Sequence, residues 1–265
     1  MSEPLRFVHI SDTHFGPTKE FSLYGCNPYL NARRIVEAIN AIPTRPDFVV
    51  HTGDITSLPD DDAYTLAADV FARLHVPIYY VTGNHDVSRC IRKHLLKEEV
   101  QFASDRPDLL SYTFEKRGVR FVALDARGPD EIDPHGILAE HQFAFLRREL
   151  AAAENNVVIL IHFPPFALDS TWLDEAMLLL NGEEFHQALI PFRNNIRGVF
   201  FGHVHRGMQV FRDGILYSSV ASTIGQFHSW PAHAKVEQDE VHPPCFNFVT
   251  LADGKTIIKE LSISR

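Results

Sequence analysis

Six short apolar segments recur along the chain and constrain its fold more than any other feature. They are RFVHI (6–10), DFVVH (47–51), PIYYV (77–81), VRFVAL (119–124), VVILI (157–161) and GVFF (198–201). Each has the length of a β-strand and is nearly unbroken in hydrophobicity, which is typical of strands buried on both faces. We therefore expect a sheet that is covered on both sides.

Helical patterns lie between these segments. They are clearest in NARRIVEAINAI (31–42) and LAEHQFAFLRRELAAA (138–153), where apolar residues recur at spacings of three and four. Strands that alternate with helices indicate a layered α/β architecture. A length of 265 residues with 45% hydrophobic and 22% charged residues suits one large domain or two small ones. Because no linker, repeat or low-complexity tract is visible, we expect a single domain over residues 1–265.

The sequence pattern changes after about residue 206, where the chain becomes rich in β-strand patterns. Two strand-turn-strand patterns surround Asp213-Gly214 and Asp253-Gly254, and such dipeptides favour tight hairpin turns. We expect these strands to complete a second sheet of the same domain. A long irregular stretch, residues 223–244, interrupts them. Loops of this length are often functional, and it is interpreted as either a substrate lid or a subunit interface.

Composition excludes several classes of protein. The formal net charge is −9 and no basic run occurs, which argues against a protein that binds duplex DNA. Three cysteines without a CxxC pair do not make a disulfide framework, which suits a reducing compartment. The N-terminus does not resemble a signal peptide, and no apolar run approaches the length of a membrane span. We therefore expect a cytoplasmic protein that is neither exported nor anchored to a membrane.

Polar residues follow five of the apolar segments at the same relative place. These residues are Ser11-Asp12-Thr13-His14, Thr52-Gly53-Asp54, Thr82-Gly83-Asn84-His85-Asp86, His162 and Gly202-His203-Val204-His205. Ligands bind at the carboxyl ends of strands in α/β sheets, so these side chains are candidates for one cluster. Taken singly, each also fits a helix cap, a turn or a core histidine. Chance would rarely place all of them at five strand ends.

The paired histidines of GHVHRG admit a geometric interpretation. In an extended chain, side chains two residues apart lie on the same face, so His203 and His205 are expected to converge on one target. Gly202 and Gly207 on either side would let the backbone approach closely. The alternative is a strand end that carries two solvated histidines.

The number of candidate ligands indicates two metal ions. Two carboxylates, one carboxamide and four imidazoles exceed what one tetrahedral ion needs, and a shared carboxylate would hold two ions together. Imidazole and oxygen ligands without thiolate suit Mn, Fe or Zn. The identity of the metals stays open at this point.

The five blocks resemble, in order, the signature of the calcineurin-like metallophosphoesterases, and they cover residues 6–206. The resemblance implies a four-layer αββα sandwich, in which two mixed β-sheets are flanked by helices, with a dinuclear metal centre. It also implies the metal ligands: Asp12, His14 and His205 on one ion, Asn84, His162 and His203 on the other, and Asp54 bridging both. His85 is not a ligand in that family and faces the substrate phosphate.

Departures from the signature indicate a branch of the family. GDITSL and GNHD differ from the pattern of serine/threonine protein phosphatases, which disfavours that activity. ISDTHFG and GQFHSWP are similar to bacterial class III cyclic nucleotide phosphodiesterases and their glycerophosphodiesterase relatives. In those enzymes a histidine from the loop after the last block reaches the active site, and His228 is the match here.

We therefore expect a metal-dependent phosphoric diester hydrolase. Two cations would activate a bridging hydroxide, and His85 would protonate the leaving oxygen. Asp86 is expected to orient the His85 ring, or alternatively to cap the helix that begins near Val87. Asn84, His85 and His228 are the candidate substrate-binding residues.

Several alternatives remain open on the sequence alone. The expected substrates are small phosphodiesters such as 3',5'-cyclic AMP or a glycerophosphodiester, and neither duplex nucleic acid nor a membrane is an expected partner. A homo-oligomer is left open. The alternative activities are those of a phosphomonoesterase or a nuclease of the same superfamily, although the charge balance disfavours the nuclease. A non-catalytic binding scaffold is the least favoured, because every ligand position is filled.

Overall fold

The computed structural model describes residues 3–153 and 156–263. The strands are β1 (Leu5–Ile10), β2 (Phe48–His51), β3 (Ile78–Tyr80), β4 (Gln101–Phe102), β5 (Tyr112–Lys116), β6 (Val119–Ala123), β7 (Val157–Leu160), β8 (Ile196–Phe201), β9 (Gln209–Arg212), β10 (Ile215–Ser219), β11 (Gln226–Phe227), β12 (Gln238–Asp239), β13 (Cys245–Ala252) and β14 (Lys255–Ser262). The α-helices are α1 (Pro28–Asn40), α2 (Asp61–Phe71), α3 (Ser88–Cys90), α4 (Glu140–Ala152), α5 (Thr171–Ala176) and α6 (Gly182–Leu189).

Twelve of these strands form two mixed sheets. The first sheet has the order β14-β13-β1-β2-β3, and the second has the order β4-β5-β6-β7-β8-β10-β9. Strands β1, β2 and β3 are parallel, as are β6, β7, β8 and β10, while the remaining pairs are antiparallel. Strands β11 and β12 pair only with each other among the described residues.

The second sheet separates two hydrophobic cores. Along β7, Val158 and Leu160 pack into the core that also holds the first sheet and helices α1 and α2. Their neighbours Val157 and Ile159 pack on the other side, with α4, α5 and α6. This alternation follows from the two-residue period of a strand. The layers are therefore helix, sheet, sheet, helix, which confirms the predicted αββα sandwich.

Aromatic residues join the two sheets. The ring of Phe7 on β1 lies 5.6 Å from that of Phe121 on β6 and 5.3 Å from that of Phe200 on β8. Phe48 on β2 lies 5.1 Å from Phe121. All four are fully buried, and each contributes roughly 1.5–3 kcal/mol through the apolar surface it removes from water.

The six apolar segments form β1, β2, β3, β6, β7 and β8, and the two helical patterns form α1 and α4, as predicted. Helix α2 was not predicted from the sequence, although Asp60 caps it by accepting a hydrogen bond from the amide of Asp62 at 2.8 Å. Strands β4 and β5, which extend the second sheet, were also not predicted. All three cysteines are free, as expected.

The prediction for the C-terminal strands is partly wrong. Both Asp-Gly turns form the expected hairpins, and β9 and β10 do join the second sheet. However, β13 and β14 add to the first sheet, with β13 antiparallel to β1. Strand β13 is almost wholly buried, so it fits beside a central strand and requires an outer neighbour, which β14 provides.

The prediction of one domain over residues 1–265 stays a prediction, and residues 1–2, 154–155 and 264–265 lie outside the described part of the chain. The interrupting stretch 223–244 contains the short strands β11 and β12. Among the described residues, no helix combines the length and apolar character that crossing a membrane requires.

Candidate metal centre

The loops after β1, β2, β3, β7 and β8 meet at one edge of the two sheets. Backbone hydrogen bonds join them: the amide of Asp12 donates to the carbonyl of Gly53 at 3.0 Å, and that of Gly202 donates to the carbonyl of His162 at 3.1 Å. The seven candidate ligands are at most 8% exposed; they are Asp12, His14, Asp54, Asn84, His162, His203 and His205. The structure thus brings together every metal-type side chain that the sequence singled out.

Five of these seven residues have a left-handed backbone conformation. Their φ angles are 56° for Asp12, 47° for His14, 55° for Asp54, 70° for His203 and 50° for His205. Such angles are uncommon for residues other than glycine, and each costs of order 1–3 kcal/mol. Strain that is concentrated at one place in this way is typical of a functional site.

Two glycines allow the loops to approach each other. A Cβ atom on Gly83 would lie 2.2 Å from Oδ1 of Asp54, and one on Gly202 would lie 1.9 Å from Oγ of Ser11. Any larger residue would displace these partners, and at Gly202 the close approach is to Ser11 and to the candidate ligand Asp12, whose Oδ2 atom would lie 3.0 Å from the added Cβ. A Cβ on Gly207 would instead meet the side chain of Glu260 at 2.8 Å. Gly207 therefore makes no close approach to the ligands.

One cluster comprises Asp12, His14 and His205. The Nε2 atoms of His14 and His205 are 3.0 Å apart. Oδ1 of Asp12 lies 3.6 Å from Nε2 of His205. These three groups have the spacing of a cation site.

A second cluster comprises Asn84, His162 and His203. Nε2 of His162 lies 3.0 Å from Nδ1 of His203 and 3.3 Å from Oδ1 of Asn84. Nδ1 of His162 lies 2.6 Å from the carbonyl oxygen of Thr52. A carbonyl only accepts, so Nδ1 carries the hydrogen and Nε2 is the ring atom directed toward the cluster, where a cation would displace any proton that Nε2 holds.

Asp54 lies between the two clusters. Its Oδ2 atom is 3.7 Å from Nε2 of His14 and 3.4 Å from Nε2 of His162. Its Oδ1 atom accepts a hydrogen bond from the amide of His85 at 3.0 Å. One carboxylate oxygen thus faces a nitrogen of each cluster, which is the geometry that a shared ligand requires.

The paired histidines do not converge on one target. Both lie beyond the end of β8 with left-handed backbones, rather than in an extended strand. His203 therefore joins His162, whereas His205 joins His14. The expectation of a common target, which was based on strand geometry, is wrong.

Burial and charge set the protonation of the cluster. Burial lowers the pKa of His14 and His203 well below the usual value and that of His205 to about 3, so these rings are neutral. Burial raises the pKa of Asp12 to about 7. For His162, burial opposes the charge, but the nearby Asp54 carboxylate outweighs it and raises the pKa to about 9.

The donors fit a pair of cations. Two pairs of imidazole nitrogens approach to 3.0 Å, and a carboxylate oxygen accompanies each pair. Neutral imidazole and carboxylate groups are ligands for first-row divalent metals such as Mn, Fe or Zn. A positive ion also stabilises the charged form of a buried carboxyl group beside it.

His85 differs from the clustered residues because it is exposed. Its Nδ1 atom lies 2.9 Å from the carbonyl oxygen of Ser57, and its ring meets that of His14 edge to face at 5.0 Å. The histidine is therefore adjacent to the clusters and also accessible to solvent.

Asp86 does not contact the His85 ring through any hydrogen bond of the described residues. Its buried carboxylate accepts hydrogen bonds from the amides of Ile55 at 3.1 Å, Thr56 at 3.2 Å and Gly83 at 3.0 Å. These bonds connect the loop after β2 with the loop after β3. Neither of the two predicted roles, orientation of the ring and capping of the next helix, matches these contacts.

A cavity of about 610 Å³ opens beside the clusters. Its polar floor includes Asp54, Asn84 and His85, and its walls are mostly apolar; the wall residues include Tyr24, Trp172, Ala176, Met177, Phe227 and Val236. Sequence reasoning did not identify Tyr24 or Trp172, since neither belongs to a motif; Tyr24 reaches the cavity from the segment before α1, and Trp172 reaches it from α5. His228 is not among the lining residues, and its substrate-binding role stays a prediction.

The sandwich fold and the paired clusters agree with comparisons to known proteins. The profile of the family Calcineurin-like phosphoesterase matches residues 5–207. The chain therefore belongs to the calcineurin-like phosphoesterase family, which confirms the resemblance seen in its sequence blocks.

Three known proteins illustrate the similarity in sequence and in fold. The chain is 29% identical to the 3',5'-cyclic adenosine monophosphate phosphodiesterase CpdA of Vibrio vulnificus over 95% of this chain and 87% of the relative. It is 30% identical to the glycerophosphodiester phosphodiesterase GpdQ of Enterobacter lignolyticus over 75% of this chain and 70% of the relative. A dimetal phosphatase from Danio rerio has the same fold, with a TM-score of 0.68 and 19% identity, over 98% of this chain and 99% of that chain.

Proposed function

We propose that this protein is a metal-dependent phosphodiesterase that hydrolyses small phosphodiesters, such as 3',5'-cyclic AMP or glycerophosphodiesters. The observation that carries the proposal is the position of the accessible His85 beside Asp54, the carboxylate that lies between two clusters of metal-type ligands. The similarity to CpdA and GpdQ, whose names state these two substrate classes, supports it.

In this proposal, Asp12, His14 and His205 hold one ion, while Asn84, His162 and His203 hold the other. Asp54 would contribute to both sites, since its Oδ2 atom faces a nitrogen of each cluster. Bound cations would supply Lewis acidity toward the phosphoryl group and an activated water as nucleophile. The metals are proposed to be Mn, Fe or Zn, given the mixture of imidazole and oxygen donors.

His85 is proposed to protonate the leaving oxygen of the ester. Its Nδ1 hydrogen is directed to Ser57, so Nε2 is the ring atom that can hold and transfer a proton. Exposure of the ring allows that proton to be replaced from solvent after each turnover.

Apolar side chains form the walls of the cavity around the candidate catalytic groups. Trp172 and Phe227 line the cavity above the polar floor, and both are at most 7% exposed. They offer an apolar surface against which the non-reacting part of a small diester can pack. A small diester can enter a space of about 610 Å³, whereas the net charge of −9 disfavours duplex nucleic acid as a substrate.

A substrate panel tests the proposal. Metal-stripped protein is reconstituted with Mn, Fe and Zn in turn and assayed on cyclic AMP, a glycerophosphodiester, phosphomonoesters and single-stranded oligonucleotides. We expect metal-dependent turnover that favours the small diesters. Preferential hydrolysis of monoesters or oligonucleotides would instead establish one of the alternative activities. Stoichiometric metal binding without turnover of any ester would indicate a binding scaffold.

A further inference from the structure

A short two-stranded ribbon, formed by β11 and β12, packs against one of the candidate metal ligands. Gln226 pairs with Asp239 and Phe227 pairs with Gln238. The ring of Phe227 stacks on that of His205, with centroids 4.4 Å apart and planes inclined by 13°. The Phe227 side chain is 5% exposed, so this contact is enclosed.

Other aromatic rings hold Phe227 in place. The rings of Tyr24 and Trp172 meet it edge to face, at 5.3 Å and 5.8 Å. Tyr24 and Trp172 are also hydrogen-bonded to neighbours of Phe227. Gln238 donates to the carbonyl of Tyr24 at 2.9 Å, and the Trp172 indole donates to the carbonyl of His228 at 2.8 Å. Phe227 therefore cannot shift without moving several neighbours.

A second attachment lies one residue beyond His205. The guanidinium of Arg206 donates to Oε1 of Gln226 and to Oδ2 of Asp239, both at 2.9 Å. These partners are 4% and 1% exposed, and buried charge-assisted bonds of this kind are stronger than neutral ones. The ribbon is thus fixed to the 205–206 segment by an aromatic stack and by an ion pair.

His205 lacks one support that metal-binding histidines usually have, and in this it is like His14 and His203. A metal-binding histidine is usually oriented by a hydrogen bond to its other ring nitrogen, as Thr52 provides for His162. The Nδ1 atom of His205 is buried and makes no hydrogen bond of normal geometry within the described residues. The backbone of Gly225, the residue just before the ribbon, also interacts with His205, and the flat contact with Phe227 adds a restraint on the plane of its ring.

We infer that the ribbon positions His205 for metal binding, and that Phe227 is the positioning residue. The inference rests on the proposed metal centre and assigns a role to the segment that follows the last sequence block. It predicts that Phe227 affects the affinity of one of the two ion sites, the one that contains Asp12, His14 and His205.

Mn²⁺ titration calorimetry on metal-stripped protein tests this inference. We expect Phe227→Leu to weaken one of two Mn²⁺ binding steps by about tenfold, the lower end for loss of groups that orient a ligand, and to leave the other step unchanged. Phe227→Tyr, which keeps the ring, should restore the affinity. Phe114→Leu is the matched control: Phe114 is 6% exposed and packs in the core against Tyr79 and Phe121. It should lower the melting temperature and leave both Mn²⁺ steps unchanged.

Wild-type Mn²⁺ affinities in Phe227→Leu, or an equal loss in Phe114→Leu, would overturn the inference. If Phe227→Leu does not fold, Arg206→Gln carries the test, because it breaks the other attachment and retains every ring; it should weaken the same step, and wild-type affinities would again overturn the inference. Failure of the wild-type protein to bind Mn²⁺, Fe²⁺ or Zn²⁺ would overturn the metal centre itself. If the protein binds two ions and Phe227→Leu changes neither affinity, the inference is wrong but the proposed function is unaffected.

Discussion

The Nδ1 atom of His85 lies 2.9 Å from the carbonyl oxygen of Ser57. This contact fixes the ring through the loop that follows Asp54. It also assigns the hydrogen to Nδ1, since the carbonyl can only accept. Nε2 is consequently the atom available to exchange a proton with a substrate.

Replacement of His85 by alanine removes the proposed proton donor. We expect His85→Ala to retain both metals and to lose about a hundredfold or more in rate on esters with poor leaving groups. Activated aryl esters, whose leaving groups need no proton, should lose less. Steady-state kinetics on both ester types, with metal content measured in parallel, checks this.

His94→Ala provides a matched control, because His94 pairs with Asp61 at the surface at 2.9 Å. Its kinetics should equal those of the wild type. Equal losses on both ester types in His85→Ala would indicate that His85 binds phosphate and does not donate a proton.

Replacement of Asp54 by asparagine removes the negative charge between the two clusters. We expect Asp54→Asn to lower the occupancy of at least one ion and nearly to abolish turnover, because the repulsion between two cations is then no longer offset. Asp125→Asn is the control: Asp125 is likewise buried, but it accepts hydrogen bonds from Ser88 and Leu110. Two full metal equivalents and a normal rate in Asp54→Asn would contradict the shared-ligand role.

His9 should make the protein less stable in acid. Burial lowers the pKa of His9 to about 3, so below about pH 6.5 the unfolded chain binds a proton that the folded protein does not. Stability is therefore lost as the pH falls from about 6.5 toward 3. For this one group the loss between pH 7 and pH 5 is about 2 kcal/mol.

Urea unfolding of metal-free protein at these two pH values measures the effect. His9→Gln retains a polar partner for Thr52, whose Oγ1 lies 2.9 Å from Nε2 of His9. We expect the variant to lose less stability than the wild type over this interval, by about 2 kcal/mol. An identical loss in both proteins would show that His9 does not contribute.

His228 remains a proposed substrate-binding residue. It follows Phe227, which lines the cavity; its own ring is 32% exposed and stacks on His233 at 5.1 Å. We expect His228→Ala to raise KM for diesters several-fold, with metal content and melting temperature nearly unchanged. A loss of stability or of an oligomer, with unaltered kinetics, would place His228 in a structural interface instead.

Sequence reasoning was most successful where the physical signal is local. Strands buried on both faces are recognisable from unbroken apolar runs, as in β1 and β7, and Asp-Gly turns identify the two C-terminal hairpins. The strand-end rule groups Asp12, Asp54, Asn84 and His162 from their positions in the chain alone, and these side chains do lie together in the fold. Metal identity and substrate are not encoded in such spacing.

The sequence by itself therefore determined six of the strands, the two C-terminal hairpins and the set of metal-type side chains at the strand ends, because these depend on short-range patterns. Only the tertiary structure decided which groups are partners. The carbonyl of Ser57 restrains His85, Phe227 stacks on His205, and β13 lies beside β1. Each of these contacts joins segments that are distant along the chain. Each depends on how the loops and strands pack, and no local sequence pattern predicts that packing.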